Sequence, residues 1–174
     1  MPDGAETRNA EIGAEYRRSD IASLWNVPFE DAKWSQTGFI WTGDHMFLLV
    51  TLEKAGMRDE HQYSDRFLDA QHFQWQSQNR TTQGGKVGRA LRGHRKLGIA
   101  VHLFVRRFAK TQQNRAAPFI YCGDLEFEAW EGEKPITIRW CLTHRLQTSL
   151  LRHLGLTTIE KTAGVDPNAG SSDR

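Results

Sequence analysis

Rings, amides, hydroxyls and a guanidinium follow one another along Phe73-Gln74-Trp75-Gln76-Ser77-Gln78-Asn79-Arg80-Thr81-Thr82. Each type has a use against nucleic acid. Aromatic faces stack on an exposed base, for roughly 1–3 kcal/mol per base. Amides carry a donor and an acceptor, so Gln76, Gln78 and Asn79, with the Ser77 hydroxyl, can address a base edge. Arg80, Thr81 and Thr82 can hold phosphate oxygens. The same pattern also suits a plain strand, with Phe73 and Trp75 in a core and the glutamines in water.

A second set of candidates lies just beyond. Lys86, Arg89, Arg92, Arg95 and Lys96 cover one side of a basic segment entered through Gly84-Gly85. Freed backbone amides and clustered cations suit an anion there. A solvated cationic face is the plainer alternative. The Gly-Lys-Ser/Thr ending of a phosphate-binding nucleotide loop is missing. From Ala70 through Gly123 there is no acid and there are ten Lys and Arg, while the other positions carry thirteen basic and all twenty-one acidic residues. A chain of net charge +2 thus joins a +10 segment to a −8 remainder. That asymmetry selects a polyanionic partner, double-stranded DNA first among them.

Other side chains offer rival chemistry. Trp34, Phe39, Trp41 and Tyr63 could wall a base pocket, with Asp65, Asp69 and His61 at its rim, although core packing explains rings equally well. Asp124, Glu126 and Glu128 alternate, and paired carboxylates can hold Mg²⁺ in a metal-dependent nuclease. The upstream Asp of such a site is not identifiable. The seven His show no zinc spacing, and no nucleophile elbow is present, so no cofactor and no resident metal are expected. His102, opposite Val101 and Leu103, is expected to be half exposed. A third possibility is a protein-interaction domain that recruits a helicase or nuclease.

These residues need elements to position them. Ser19 can cap a helix through about Trp25. Gly38 to Thr42 and His45 to Leu52 read as strands around a Thr42-Gly43-Asp44 turn. His72 to Gln78 alternates as a strand does. Lys86 to Leu97 is a candidate helix stopped by Gly98, weakened by Gly88 and Gly93. Ile99 to Val105 is a strand, Pro118 to Trp130 a strand or strand pair, Pro135 to Leu142 a strand and Leu146 to Leu154 a short helix. An α+β domain follows, with a curved, mostly antiparallel sheet or partial β-barrel and two or three short helices.

Residues 1–15 are expected to be flexible, 16–158 to form a single domain and 159–174 a disordered tail. Apolar content of 39% suffices for a core. Met1 to Arg18 lacks the apolar segment of a secretory signal, and no apolar run can span a bilayer, so a cytoplasmic location away from membranes is expected. Cys122 and Cys141 are expected to be buried reduced thiols.

Several stretches together resemble one bacterial family, the domain of unknown function 3427. They are Tyr16-Arg17-Arg18-Ser19-Asp20-Ile21, Tyr63-Ser64-Asp65-Arg66-Phe67, Phe73-Gln74-Trp75-Gln76-Ser77-Gln78, Val101-His102-Leu103-Phe104-Val105-Arg106 and Phe119-Ile120-Tyr121-Cys122-Gly123. Members often follow helicase-like or nuclease modules in restriction or defence settings. The resemblance implies a DNA-associated accessory domain that reads modified bases, with a fold similar to PUA and SRA-like β-barrels. It also implies that a partner supplies any cleavage.

Overall fold

The computed structural model describes residues 10–35, 37–53 and 65–156. Tyr63, His61 and the tail expected after residue 158 lie outside them. In chain order the elements are β1 (Glu15–Tyr16), α1 (Arg18–Leu24), α2 (Asp31–Trp34), β2 (Phe39–Thr42), β3 (His45–Glu53), β4 (Arg66–Phe67), β5 (His72–Gln76), α3 (Lys86–Arg92), β6 (Ala100–Phe108), β7 (Phe119–Glu131), β8 (Thr137–Leu142) and α4 (Thr148–His153). The sheet runs β2-β3-β6-β7-β8-β5-β4, with β1 added along β7. Every pairing is antiparallel except β3 with β6. This is the curved α+β architecture that the alternation predicts, with four short helices among the described residues.

The sheet separates two apolar layers. Its concave side buries Met46, Leu48, Val50, Phe73, Trp75, Leu103, Ile138 and Trp140, closed by Ala90 and Leu91 of α3 and Leu151 of α4. Its convex side buries Phe47, Leu49, Phe104 and Tyr121 under Ile21 and Ala22 of α1 and Trp34 of α2. Two layers on one sheet explain why Met46 to Val50 is an unbroken apolar run rather than an alternating one.

Local chemistry adjusts the boundaries. Helix α1 starts at Arg18, because the Arg17 backbone N–H donates to Asp20 Oδ2 at 2.8 Å and Ser19 lies inside the helix. Helix α3 ends at Arg92 with Gly93 as its cap, five residues short of the expected stop. Strand β7 is one continuous strand of 13 residues, not a pair. Gly123 keeps it going at φ +102, a conformation that side chains rarely adopt. Cys122 is buried, whereas Cys141 is only partly covered, on the outer face opposite Glu126.

Candidate nucleic-acid interface

Among the described residues the sheet does not close. Strand β5 approaches β2 and β3 from the other end of the strand order, and a 340 Å³ concavity opens between them. Phe39 and Trp75 meet across its base with ring centroids 5.7 Å apart. The polar end of β5 forms one wall. The Gln76 backbone N–H donates to Asp65 Oδ1 at 2.8 Å, and Gln76 Nε2 donates to Thr137 Oγ1 at 3.2 Å. Gln78 also lines the opening and is exposed.

Ser77 lines it too, but its hydroxyl is engaged. Ser77 Oγ accepts from the Ile136 N–H at 2.9 Å and donates to the Gln78 carbonyl at 3.1 Å. Trp75 is 4% exposed, so it offers little ring surface to a base. Phe73 is fully buried against Phe67, at 4.7 Å, and takes no part in the concavity. Asn79 and Arg80 are exposed in the turn that follows.

Sequence reasoning missed Arg18, which reaches this opening from α1. Its Nη1 donates to the carbonyls of Trp34, at 2.7 Å, and Thr37, at 3.0 Å. Its guanidinium carbon lies 5.1 Å from the Phe119 ring, with that of Arg106 at 4.3 Å. Burial, reinforced by the charge of Arg18, lowers the Arg106 pKa to about 10. A half-buried cation beside the concavity suits an anionic group.

The cations of the basic segment divide into groups. Arg89, Arg92, Arg95 and Lys96 surround a 560 Å³ concavity together with Gln83 and Trp130. Lys86 instead lies over the Trp41 ring at 5.7 Å, near the end of β2. Arg106, Arg107 and Lys110 line a separate 460 Å³ hollow. There Arg107 pairs with Glu53 at 2.8 Å, and Arg106 donates to Thr51 Oγ1 at 2.8 Å.

Loop 77–85 joins β5 to α3. The Thr81 carbonyl accepts from the Lys134 N–H at 3.0 Å and the Thr82 carbonyl from the Gly85 N–H at 3.2 Å. A Cβ on Gly88 would collide with the Thr82 carbonyl oxygen, so only glycine lets α3 sit this close to the loop. The low helix propensity of the segment is thus a consequence of its seat.

The alternating carboxylates do not converge. Asp124 serves His102 and Tyr121, Glu126 faces Arg95 at 3.6 Å, and Glu128, at the β7 bulge, pairs with Arg139 at 2.8 Å. Among the described residues no group of three His, Cys, Asp or Glu could hold a metal ion.

His102 corrects an expectation. It is 3% exposed rather than half exposed, because Trp25 covers its ring at 4.5 Å. The convex face is dry here because the segment following α1 folds over it. His45 Nδ1 and His102 Nε2 lie 3.0 Å apart, and His102 Nδ1 lies 2.7 Å from Asp124 Oδ1. Burial pushes the Asp124 pKa up, but the hydrogen bond and charge of His102 prevail and hold it below the ordinary value.

A family model for the domain of unknown function DUF3427 matches residues 11–154. No curated protein matches the chain. Among solved structures, KRYPTONITE in complex with mCHG DNA and SAH aligns with a TM-score of 0.51 at 10% identity, over 79% of this chain and 34% of that one. This chain therefore spans about a third of the length of that structure, and the likeness shows a shared fold. MspJI restriction endonuclease in complex with a 27-mer oligonucleotide aligns at a TM-score of 0.37 and 17% identity, over 61% of this chain and 31% of that one. The sulfur binding domain and SRA domain of ScoMcrA, complexed with phosphorothioated DNA, align at 0.35 and 10% identity, over 84% and 45%. These two overlap too loosely to bear on the fold. With its family model spanning β1 through α4, this chain belongs to the DUF3427 family.

Proposed function

We propose that this chain is a DNA-binding module that admits a single base, flipped from a duplex, into the concavity between β5 and β2–β3, and distinguishes a modified base from a plain one. The observation that carries the reading is that 340 Å³ opening, with amide and carboxylate groups on one wall and a half-buried arginine beside it. Its volume lies in the range of small-ligand sites, roughly 300–1,000 Å³. Gln76, Gln78 and Asp65 address the base edge. The aromatic base formed by Phe39 and Trp75 supplies apolar contact. Arg80 and the cations of α3 hold phosphates, which fixes the register without reading sequence. The fold shared with KRYPTONITE, solved on mCHG DNA, supports the same assignment. Unstacking a base costs a few kcal/mol, which pocket contacts must offset.

The test is a titration against plain and 5-methylcytosine duplexes of one sequence at two salt concentrations. We expect the modified duplex to bind about tenfold tighter, the discrimination of one good pair of edge contacts. Gln78→Ala is expected to reduce that ratio while leaving the plain duplex bound. Equal affinity for both duplexes overturns base reading, and affinity independent of salt overturns phosphate binding.

A further inference from the structure

The concavity beside α3 is built unlike the base pocket. Trp75 pairs with Ile138 and Ile138 with Trp130, so both indoles project to one face of the sheet, two strands and about 10 Å apart. Trp75 is sealed in the core, whereas Trp130, one residue from the end of β7, is half-buried and lines the open 560 Å³ hollow. Around it stand Arg89, Arg92, Arg95 and Lys96, with Gln83 and Gly93 completing the wall. The Arg92 guanidinium carbon lies 5.6 Å from the Trp130 centroid.

Among the described residues these cations make a single ion pair. Glu126 reaches Arg95 only at 3.6 Å, with side chains 44% and 69% exposed, a geometry worth little. Glu133 accepts from the Gln83 backbone N–H at 2.7 Å. Binding to duplex phosphates needs cations but no ring, because paired bases are covered by their stacked neighbours. An unpaired nucleotide presents a planar face and a phosphate together, which is what a ring among cations recognises.

We propose that this hollow is a subsite for an unpaired strand of nucleic acid, with one base stacked on Trp130 and flanking phosphates held by Arg89, Arg92, Arg95 and Lys96. The guanidinium over the ring marks where the base lies. On binding, the base takes the ring and Arg92 turns to the phosphate. The proposal rests on the nucleic-acid part of the reading above and is independent of the base pocket.

The experiment uses fluorescence anisotropy with labelled oligothymidine and with a blunt duplex, on wild type, Trp130→Leu and Trp130→Phe. Leucine keeps apolar contact with Phe127 but removes the stacking face. We expect Trp130→Leu to weaken the single strand about tenfold, Trp130→Phe to retain most of the affinity, and duplex binding to be unchanged in both. If the leucine variant unfolds, indole emission decides. Oligothymidine is expected to quench wild type more than Trp130→Phe, and equal quenching overturns the proposal. It is also overturned if Trp130→Leu binds the strand as wild type does, or loses strand and duplex equally. If neither nucleic acid binds wild type, the DNA reading fails with it. If only the duplex binds, this subsite alone fails.

Discussion

His94 shows how one side chain ties stability to pH. It is 2% exposed, with Nδ1 2.9 Å from the Ile99 carbonyl and Nε2 3.2 Å from the Phe127 N–H. Only the neutral ring can donate to the carbonyl and accept from the amide. Burial is the main cause that holds its pKa below the usual 6.5, helped by the charge of Arg95 and opposed by the Ile99 hydrogen bond and Glu126. The unfolded chain takes up a proton near that ordinary value while the folded chain does not. Stability is therefore complete above pH about 6.5 and is lost as pH falls below it. Urea melts from pH 7.5 to 5.5 are expected to show this decline, with a shallower one in His94→Gln. His94→Ala is expected to cost about 3 kcal/mol, through a cavity and two orphaned backbone groups. At this scale the sequence is partly legible. The alternation of Phe73 and Trp75 correctly reports an inward face, and the polar end of β5 does border an opening. Trp130 carries no local signal, since its place among cations depends on a helix more than thirty residues earlier in the chain.

Among the elements, α3 is the one whose seat has least tolerance. Gly88 lies against the carbonyls of Thr82 and Gln83. Gly88→Ala favours an isolated helix but overpacks this seat, so we expect a loss of about 2–3 kcal/mol, measured by thermal or urea unfolding. Helix propensity therefore misjudges this position, just as it places the helix end at Gly98 rather than Gly93. For β7 the sequence leaves one strand or a strand pair around Cys122-Gly123-Asp124 open. Gly123 shifts the register against β6 while the strand continues. On the convex face, Asp124, His102 and His45 link β7, β6 and β3 in one hydrogen-bonded row. Asp124→Asn weakens that row, and we expect about 1–2 kcal/mol of destabilisation at neutral pH. The difference between variant and wild type is expected to shrink as pH falls through the depressed Asp124 pKa, because protonation then removes the charge that the variant already lacks.

For the whole molecule, the charge asymmetry is legible in the sequence but its geometry is not. The acid-free segment does place four cations around one concavity, yet Arg106, Arg107 and Lys110 turn to a separate hollow and are partly engaged. Salt dependence should therefore report only some of the ten. Arg89→Ala with Lys96→Ala is expected to reduce the slope of log K against log salt by about 1.8, at ~0.9 for each phosphate no longer neutralised. Substitution of Arg107 is expected to leave that slope unchanged, and a titration series in salt distinguishes the two. The parallel pairing of β3 with β6 has a consequence for biosynthesis. Strands β4 and β5 lie between these partners in sequence, but β5 is hydrogen-bonded to β8, which follows much later. A ribosome that has released everything through β7 has thus delivered every residue that lines the opening, but not the strand to which β5 is hydrogen-bonded. Only emergence of Thr137–Leu142 lets the β5 wall assemble, so a nascent chain lacks this opening until β8 is out.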